Sequence, residues 1–352
     1  MTIKPGALRF NTDSMKLEIF RGSANYEGTA SMAGIGTLAA GQWEEIQATS
    51  PEAQTGGARG LFMGGNNSPT VHNSIDYITI ATTGNAIDFG DITQARRRAA
   101  GFSDRTRGIC AGGATPAIVN TIDYVTISST GNAADFGDLI GTGSCDNTGL
   151  SNSTRGICKN GYTAPGATGT FNYVTIQSTG NAVNFGNLIA NGDAAGNVCN
   201  STRGILGGSY EPANDNTITF ITISTLGNAA DFGDLTVGRY SIAGASSSTR
   251  GVFAGGYVRS PGTPTGTKNI IDYITIATLG NAIDFGDLTR VVSTSSGVSN
   301  CIRGVFGGGY TPAQSDVLDY IQFSSIGNAI DFGDMVVPGG RGSSCSNGHG
   351  GL

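Results

Sequence analysis

The chain has 352 residues, 57 of them Gly, and is 38% hydrophobic but only 13% charged, which fits many short strands joined by tight turns and excludes a coiled coil or helical bundle. A formal net charge of −6 argues against attraction of the whole molecule to a nucleic-acid backbone. No run approaches the roughly 20 apolar residues of a membrane span, so neither nucleic-acid binding nor membrane insertion is expected.

The start, Met1-Thr2-Ile3-Lys4-Pro5-Gly6, has no apolar stretch of signal-peptide length behind it, so synthesis in the cytosol is expected. Residues 1–47 stand outside the repeated pattern and are expected to form a separate module; residues 48–352 form the repeat domain. There one motif recurs six times: Arg-Gly, an apolar residue and mostly Gly-Gly, a variable stretch, then an Ile-Asp-Tyr-type strand, Gly-Asn-Ala and mostly Asp-Phe-Gly-Asp. The Arg-Gly pairs start at Arg59, Arg107, Arg155, Arg203, Arg250 and Arg303, and the Gly-Asn-Ala landmarks place Asn85, Asn132, Asn181, Asn228, Asn281 and Asn328. Two independent landmarks thus share a period of about 50 residues, the spacing of kelch-type propeller blades.

Within a copy each segment reads as one strand. Arg250-Gly251-Val252-Phe253-Ala254 is closed by Gly255-Gly256, and Ile271-Asp272-Tyr273-Ile274-Thr275-Ile276 is β-branched and aromatic with two unlike faces. Gly280-Asn281 reads as a hairpin turn, leading into Ala282-Ile283-Asp284-Phe285-Gly286-Asp287-Leu288. The small residues over 240–248 suit a strand beside a narrow propeller axis. Four strands per copy make one blade, and six copies make an all-β, six-bladed ring.

A ring needs its last blade tied to its first. Ser346-Asn347-Gly348-His349-Gly350-Gly351-Leu352 aligns with Ser151-Asn152-Ser153-Thr154-Arg155-Gly156-Ile157, so the C-terminal tract is expected to supply the inner strand of blade one. The stretch over 48–52, with its Pro and Glu, suits that strand badly.

The chemistry-bearing residues read mostly as architecture. Six sparse Cys with no C-x-x-C spacing are expected to be free thiols, and Cys110 and Cys158 occupy a slot held elsewhere by Phe62, Leu206, Phe253 and Phe306, which marks them as core. The Asp-Phe-Gly-Asp pairs have the oxygen spacing of a Ca²⁺ site, but copy three has Asn184 and Asn187 instead. That favours side-chain hydrogen bonds to turn backbone, which Asn and Asp both supply. The repeated Arg is read as a clamp on carbonyl or carboxylate partners between blades. His72 and His349 are the two His and belong to no acid, base and nucleophile set, so no catalytic residue, metal site or cofactor is expected.

The stretches over 64–74, 112–121, 159–170, 207–217, 255–269 and 307–316 differ between copies while the strands around them barely change. In a propeller these loops share one face with the connections between blades, one of which holds Arg96, Arg97 and Arg98. Tyr and Arg dominate contact surfaces, so the candidate binding residues are Tyr162, Tyr210, Tyr257, Arg259 and Tyr310, with Arg96, Arg97 and Arg98 beside them.

The repeated TRGI…GG and IDYxTI…GNAxDFGDL phrases of residues 58–352 resemble the Gly-rich, kelch-like repeats of structural proteins of tailed bacteriophages, notably those of marine and cyanobacterial hosts. Gly6-Ala7-Leu8-Arg9-Phe10-Asn11-Thr12-Asp13, Lys16-Leu17-Glu18-Ile19-Phe20 and Gly41-Gln42-Trp43-Glu44-Glu45-Ile46 are similar to a short β module of phage fibre and decoration proteins, here with a longer insert over residues 23–40 before the Trp. The resemblance implies a non-enzymatic virion protein assembled in the bacterial cytoplasm. Residues 1–47 would bind other virion proteins, and the propeller would face a host-surface glycan or receptor or a virion neighbour, as a single chain or a homo-oligomer. The alternative is a head, neck or tail decoration protein without a receptor role.

Overall fold

Alternation of apolar and polar residues with β-branched and aromatic side chains makes every long segment of the repeat a strand; among the described residues there is no helix. The computed structural model describes residues 7–11, 16–21, 42–45 and 58–352, the last without 142, 147, 164–165, 190–191, 193–194, 211–214 and 260–264. Two compact units divide at Gln54 and Thr55. In the first, Leu8–Asn11, Lys16–Arg21 and Gln42–Glu45 form a three-stranded antiparallel sheet in that order, with Phe20 opposite Trp43 in the register. The insert over 23–40 and the stretch over 48–52 lie outside the described residues.

The second unit is a six-bladed β-propeller. Blade two is representative: Ala100–Ser103 is innermost, followed outward by Arg107–Ala111, Thr121–Thr126 and Ala134–Asp138, all antiparallel. Blade one is composite. Its sheet runs Ser343–Ser346, Arg59–Asn67, Thr70–Thr79, Ile87–Asp91, so the C-terminal strand closes the ring as the alignment predicts.

The cores lie between blades rather than within them. Leu61, Met63 and Phe89 of blade one pack with Cys110, Val125 and Ile127 of blade two, and the same pattern joins blade six to blade one through Val298, Val305, Phe332, Phe62, Ile78 and Ile80. Each such side chain, fully buried, contributes about 1.5–3 kcal/mol. Cys110 and Cys158 are buried in the positions read from sequence, and all six Cys are free thiols.

Each repeated Arg is the clamp expected of it, and its partner is a carbonyl. The Arg59 guanidinium donates to the Ile127 carbonyl of blade two (3.0 Å), Arg107 to Ile176 (3.1 Å), Arg155 to Ile223 (2.8 Å), Arg203 to Ile276 (2.8 Å), Arg250 to Phe323, and Arg303 back to Ala81 of blade one (2.8 Å). Each also lies 4.6–5.0 Å from the ring centroid of an aromatic in its own blade, Tyr77, Tyr124, Tyr173, Phe220, Tyr273 or Tyr320. Arg suits this role because its planar fork hydrogen-bonds in plane while its face stacks.

Two local readings are corrected. Gly-Asn is not the hairpin turn; in blade five the reversal is at residues 276–278, where the Thr278 N–H meets the Thr275 carbonyl (3.2 Å). Gly280-Asn281 instead lies along blade four: the Gly280 N–H donates to the Phe232 carbonyl (2.9 Å) and the Asn281 Oδ1 accepts the Asp234 N–H (3.0 Å). The same latch recurs at every interface, including Asn85 on the Asp334 N–H (3.1 Å). Consequently the last residue of Asp-Phe-Gly-Asp, its second Asp, contributes its backbone N–H to the latch, not its carboxylate. That explains why Asn187 serves as well in blade three. The Gly between them is required: at Gly90, φ is 144°, and a Cβ would sit 2.5 Å from the Gly131 carbonyl oxygen of the next blade.

Candidate functional site

Strand polarity places the variable loops and the blade-to-blade connections at one end of the ring. Three of the loops carry short β-hairpins: Tyr162–Thr163 pairs with Gly166–Ala167, Tyr257–Val258 with Gly266–Thr275, and Tyr310–Thr311 with Ala313–Gln314. Their bases are stapled to the connections by paired backbone hydrogen bonds, Tyr162 with Cys145 (2.7 and 3.0 Å), Tyr257 with Tyr240 (2.8 and 3.1 Å) and Tyr310 with Ser293 (2.7 and 3.0 Å). Thus three of the predicted tyrosines hold their loops in place through backbone while presenting side chains to the face.

The residue after each staple, and after the like bridges of Arg97 with Ala114 and Gly340 with Asn66, is in the left-handed region without being glycine: Arg98 (φ 62°), Asp146 (54°), Ser241 (54°), Thr294 (58°) and Arg341 (59°). Such a conformation costs about 1–3 kcal/mol at a non-glycine position and clusters at functional sites; for the β-branched Thr294 it is a true outlier. These residues form the rim of the central channel. Along it the Arg98 N–H donates to the Arg341 carbonyl (2.6 Å), that of Arg341 to Thr294 (3.0 Å) and that of Thr294 to Ser241 (3.0 Å).

Inside the rim opens a cavity of about 440 Å³, lined among others by Arg98, Asp146, Tyr162, Tyr210, Tyr240 and Arg341. Arg98 holds Asp146 in an ion pair at 2.9 Å, and its Nε is buried without a partner. The half-buried Arg341 guanidinium makes no hydrogen bond or ion pair among the described residues; burial, then the like charges of Arg98 and Arg97, bring its pKa below the ordinary arginine value against the pull of Asp146 and Tyr240. Tyr210 and Tyr240 meet edge to face at 4.9 Å, Tyr240 and Tyr257 lie 5.6 Å apart, and Arg259 stacks on Tyr210 at 4.7 Å. Burial and the neighbouring phenols Tyr257 and Tyr210 raise the Tyr240 pKa.

Below the mouth the channel narrows between inner strands that nearly touch; a Cβ on Gly244 would lie 1.8 Å from the Asn197 carbonyl oxygen. At its far end Ser103, Ser151, Ser246, Ser299 and Ser346 each donate a hydroxyl to the carbonyl of the preceding blade's inner strand (2.7–2.9 Å), with Cys199 in the sixth place. The C-terminal tail turns across this end instead of continuing as a strand. His349 sets Nε2 against the Ser103 carbonyl (3.0 Å), accepts the Gly351 N–H on Nδ1 (3.0 Å) and lies 3.6 Å from the Cys199 sulfur, while the Gly350 N–H donates to the Ser246 carbonyl (3.0 Å). The channel is therefore a pit, open at the loop face and closed at the other.

Of the residues expected on this face, Tyr162, Tyr210 and Arg98 line the cavity, Tyr257 and Arg259 back it, and Tyr310 stands exposed away from it. Arg97 is half-buried, and its backbone bridges Ala114. Arg96 is a correction: it is 1% exposed and pairs with Asp123 at 2.7 Å. The reason is a second repeated device that motif alignment passed over. Arg239 with Asp272 (2.7 Å) and Arg290 with Asp319 (2.6 Å) repeat it, Arg96 and Arg239 reaching from a connection and Arg290 from the end of the strand Ile283–Val292 to the central Asp of the next blade. Arg341, Tyr240 and Asp146 were missed because the connections vary as much as the loops do.

Blade one lacks this partner, since Gly339 aligns with Arg239. Asp76 is 2% exposed, accepts the Val336 and Val337 N–H groups on Oδ2 (3.1 and 3.4 Å), and leaves Oδ1 unpaired. Burial raises its pKa to about 6; the two amides oppose this and Asp88 adds to it. A carboxylate raised in the folded state favours folding while protonated, so stability is fully present below pH about 4 and falls as pH rises through about 6. Asp76→Asn is expected to keep the two acceptor bonds and remove this loss, raising stability at pH 8 by about 2 kcal/mol relative to the parent but not at pH 4. Parallel urea titrations at the two pH values check it, and an equal shift at both would refute the assignment.

No protein-family model and no curated protein matches this chain.

Proposed function

We propose that this is a virion structural protein of a tailed bacteriophage, a fibre or appendage component whose residues 1–47 attach to the particle and whose propeller offers its loop face to the host surface or to a neighbouring virion protein. The observation that supports this best is the contrast within one ring. Arg clamps and Asn latches repeat at every interface, while the loop face carries unlike hairpins, clustered tyrosines and strained rim residues around a blind pit. A rigid frame lowers the ordering cost of binding, so contact energy concentrates in a few Tyr and Arg side chains. The reading is non-enzymatic, with the carboxylate in the mouth, Asp146, already held by Arg98.

Particles carrying Ala at Tyr162, Tyr210, Tyr257, Arg259 and Tyr310 are expected to adsorb, or to dock their neighbour, about tenfold more weakly or worse, with the propeller's melting temperature unchanged. Parental adsorption and assembly of that variant would replace this reading with a decoration role without a receptor.

A further inference from the structure

We infer that the channel mouth is a binding site for a saccharide residue bearing one carboxylate, with Arg341 as the anion's main partner and the Tyr162, Tyr210 and Tyr240 side chains as the surface beside the ring. The inference rests on the binding-face reading and specifies its ligand chemistry.

Three independent features of the cavity support it. The first is charge. The cavity lining contributes Arg98, Arg341 and Asp146, a net single positive charge in a chain whose formal charge is −6. Asp146 already occupies one edge of Arg98, whereas the guanidinium of Arg341 is unengaged among the described residues and half-buried. A planar fork in that state suits a carboxylate, which it can meet with two parallel hydrogen bonds. A monoanion balances the mouth; a dianion would leave an excess negative charge beside Asp146.

The second is shape. The cavity of about 440 Å³ falls within the range of small-ligand pockets, and closure of the channel by the serine ring and His349 limits entry to one end. Such a pit takes the terminal residue of a chain rather than the middle of one. The third is surface character. Tyrosine offers a flat apolar ring and a hydroxyl at little entropic cost, suited to a pyranose whose C–H faces are apolar and whose edges are polar. Ser241 and Thr294 also line the cavity and are hydroxyl residues, at two positions where the backbone takes a conformation glycine would adopt more cheaply.

The test uses the full chain and a matched pair of probes, methyl glucuronide and methyl glucoside, which differ only in carboxylate against hydroxymethyl. Calorimetric or NMR titration is expected to give binding of the glucuronide at least about tenfold tighter than of the glucoside, weakened on going from low to high salt. Arg341→Gln is expected to reduce glucuronide binding about tenfold and leave glucoside binding as it was. Equal affinity for the two probes in the parent overturns the inference regardless of how the variant folds, as does parental glucuronide binding by Arg341→Gln. Inorganic phosphate binding more tightly than the glucuronide would also overturn it, in favour of a phosphate site. If the glucuronide fails to bind while the five-residue Ala variant still loses adsorption, the ligand chemistry is wrong and the binding face stands. If the glucuronide binds and adsorption is parental in that variant, the site stands and the host-contact reading falls.

Discussion

Removing residues 340–352 is expected to abolish the cooperative unfolding transition and leave an aggregating chain. Ser343–Ser346 is the innermost strand of blade one, in register from Ser343 opposite Met63 to Ser346 opposite Gly60, and Asn347 Oδ1 accepts the Arg59 N–H at 2.8 Å. Without it the strand Arg59–Asn67 becomes an open edge. Cys345 leaves the core it shares with Leu61 and Cys110, and the serine ring loses Ser346 and with it one hydrogen bond on each side of blade one. Because each core lies between two blades, opening the ring exposes apolar surface of both, a loss comparable to the whole 5–15 kcal/mol by which a domain is stable. A shorter truncation, removing 349–352, keeps the strand and takes away only the cover of the channel; its transition is expected to remain cooperative at a lower temperature. Calorimetry with size-exclusion chromatography separates the two, and a sharp parental transition in the longer truncation would contradict the closure argument.

The second large effect is expected from one buried ion pair. Arg239 and Asp272 are both fully buried, joined at 2.7 Å; Arg239 also donates to the Gly255 and Phe253 carbonyls, and Asp272 accepts the Thr236 hydroxyl. Asp272→Ala leaves a guanidinium without its counter-charge in the interior, and is expected to cost about 3–5 kcal/mol. Replacing both partners, as Arg239→Met with Asp272→Thr, is expected to cost much less, because no charge remains to be desolvated. Blade four carries Thr219 where blade five has Asp272, so the frame accepts an uncharged residue there. Urea unfolding of the three variants measures the difference, and a double variant as unstable as Asp272→Ala would mean that packing, not charge, dominates.

Much of this molecule is legible in its sequence. The period, the four strands per blade, the small-residue inner strand and the closure by the C-terminal tract all follow from residues whose alternatives are excluded locally. Two side-chain periodicities and one taper leave little choice, and the repetition averages out the noise of any single copy. The interblade role of the Arg59 series was legible for the same reason, since a ligand would not recur at six interfaces.

What the tertiary structure alone decided concerns groups that meet across blades. That Gly-Asn is a latch and not a turn, and that Asp-Phe-Gly-Asp works through a backbone N–H, depends on which strand edge the neighbouring blade covers. Arg96 looked like part of a basic patch with Arg97 and Arg98, but successive residues on a connection face different ways, and the central Asp of the next blade draws the first of the three inside. The mouth of the pit was least legible of all. Arg341, Asp146 and Tyr240 come from separate, unlike connections, and only closure of the ring brings them within reach of one another: charge complementarity and stacking act through space, at distances the chain order does not encode.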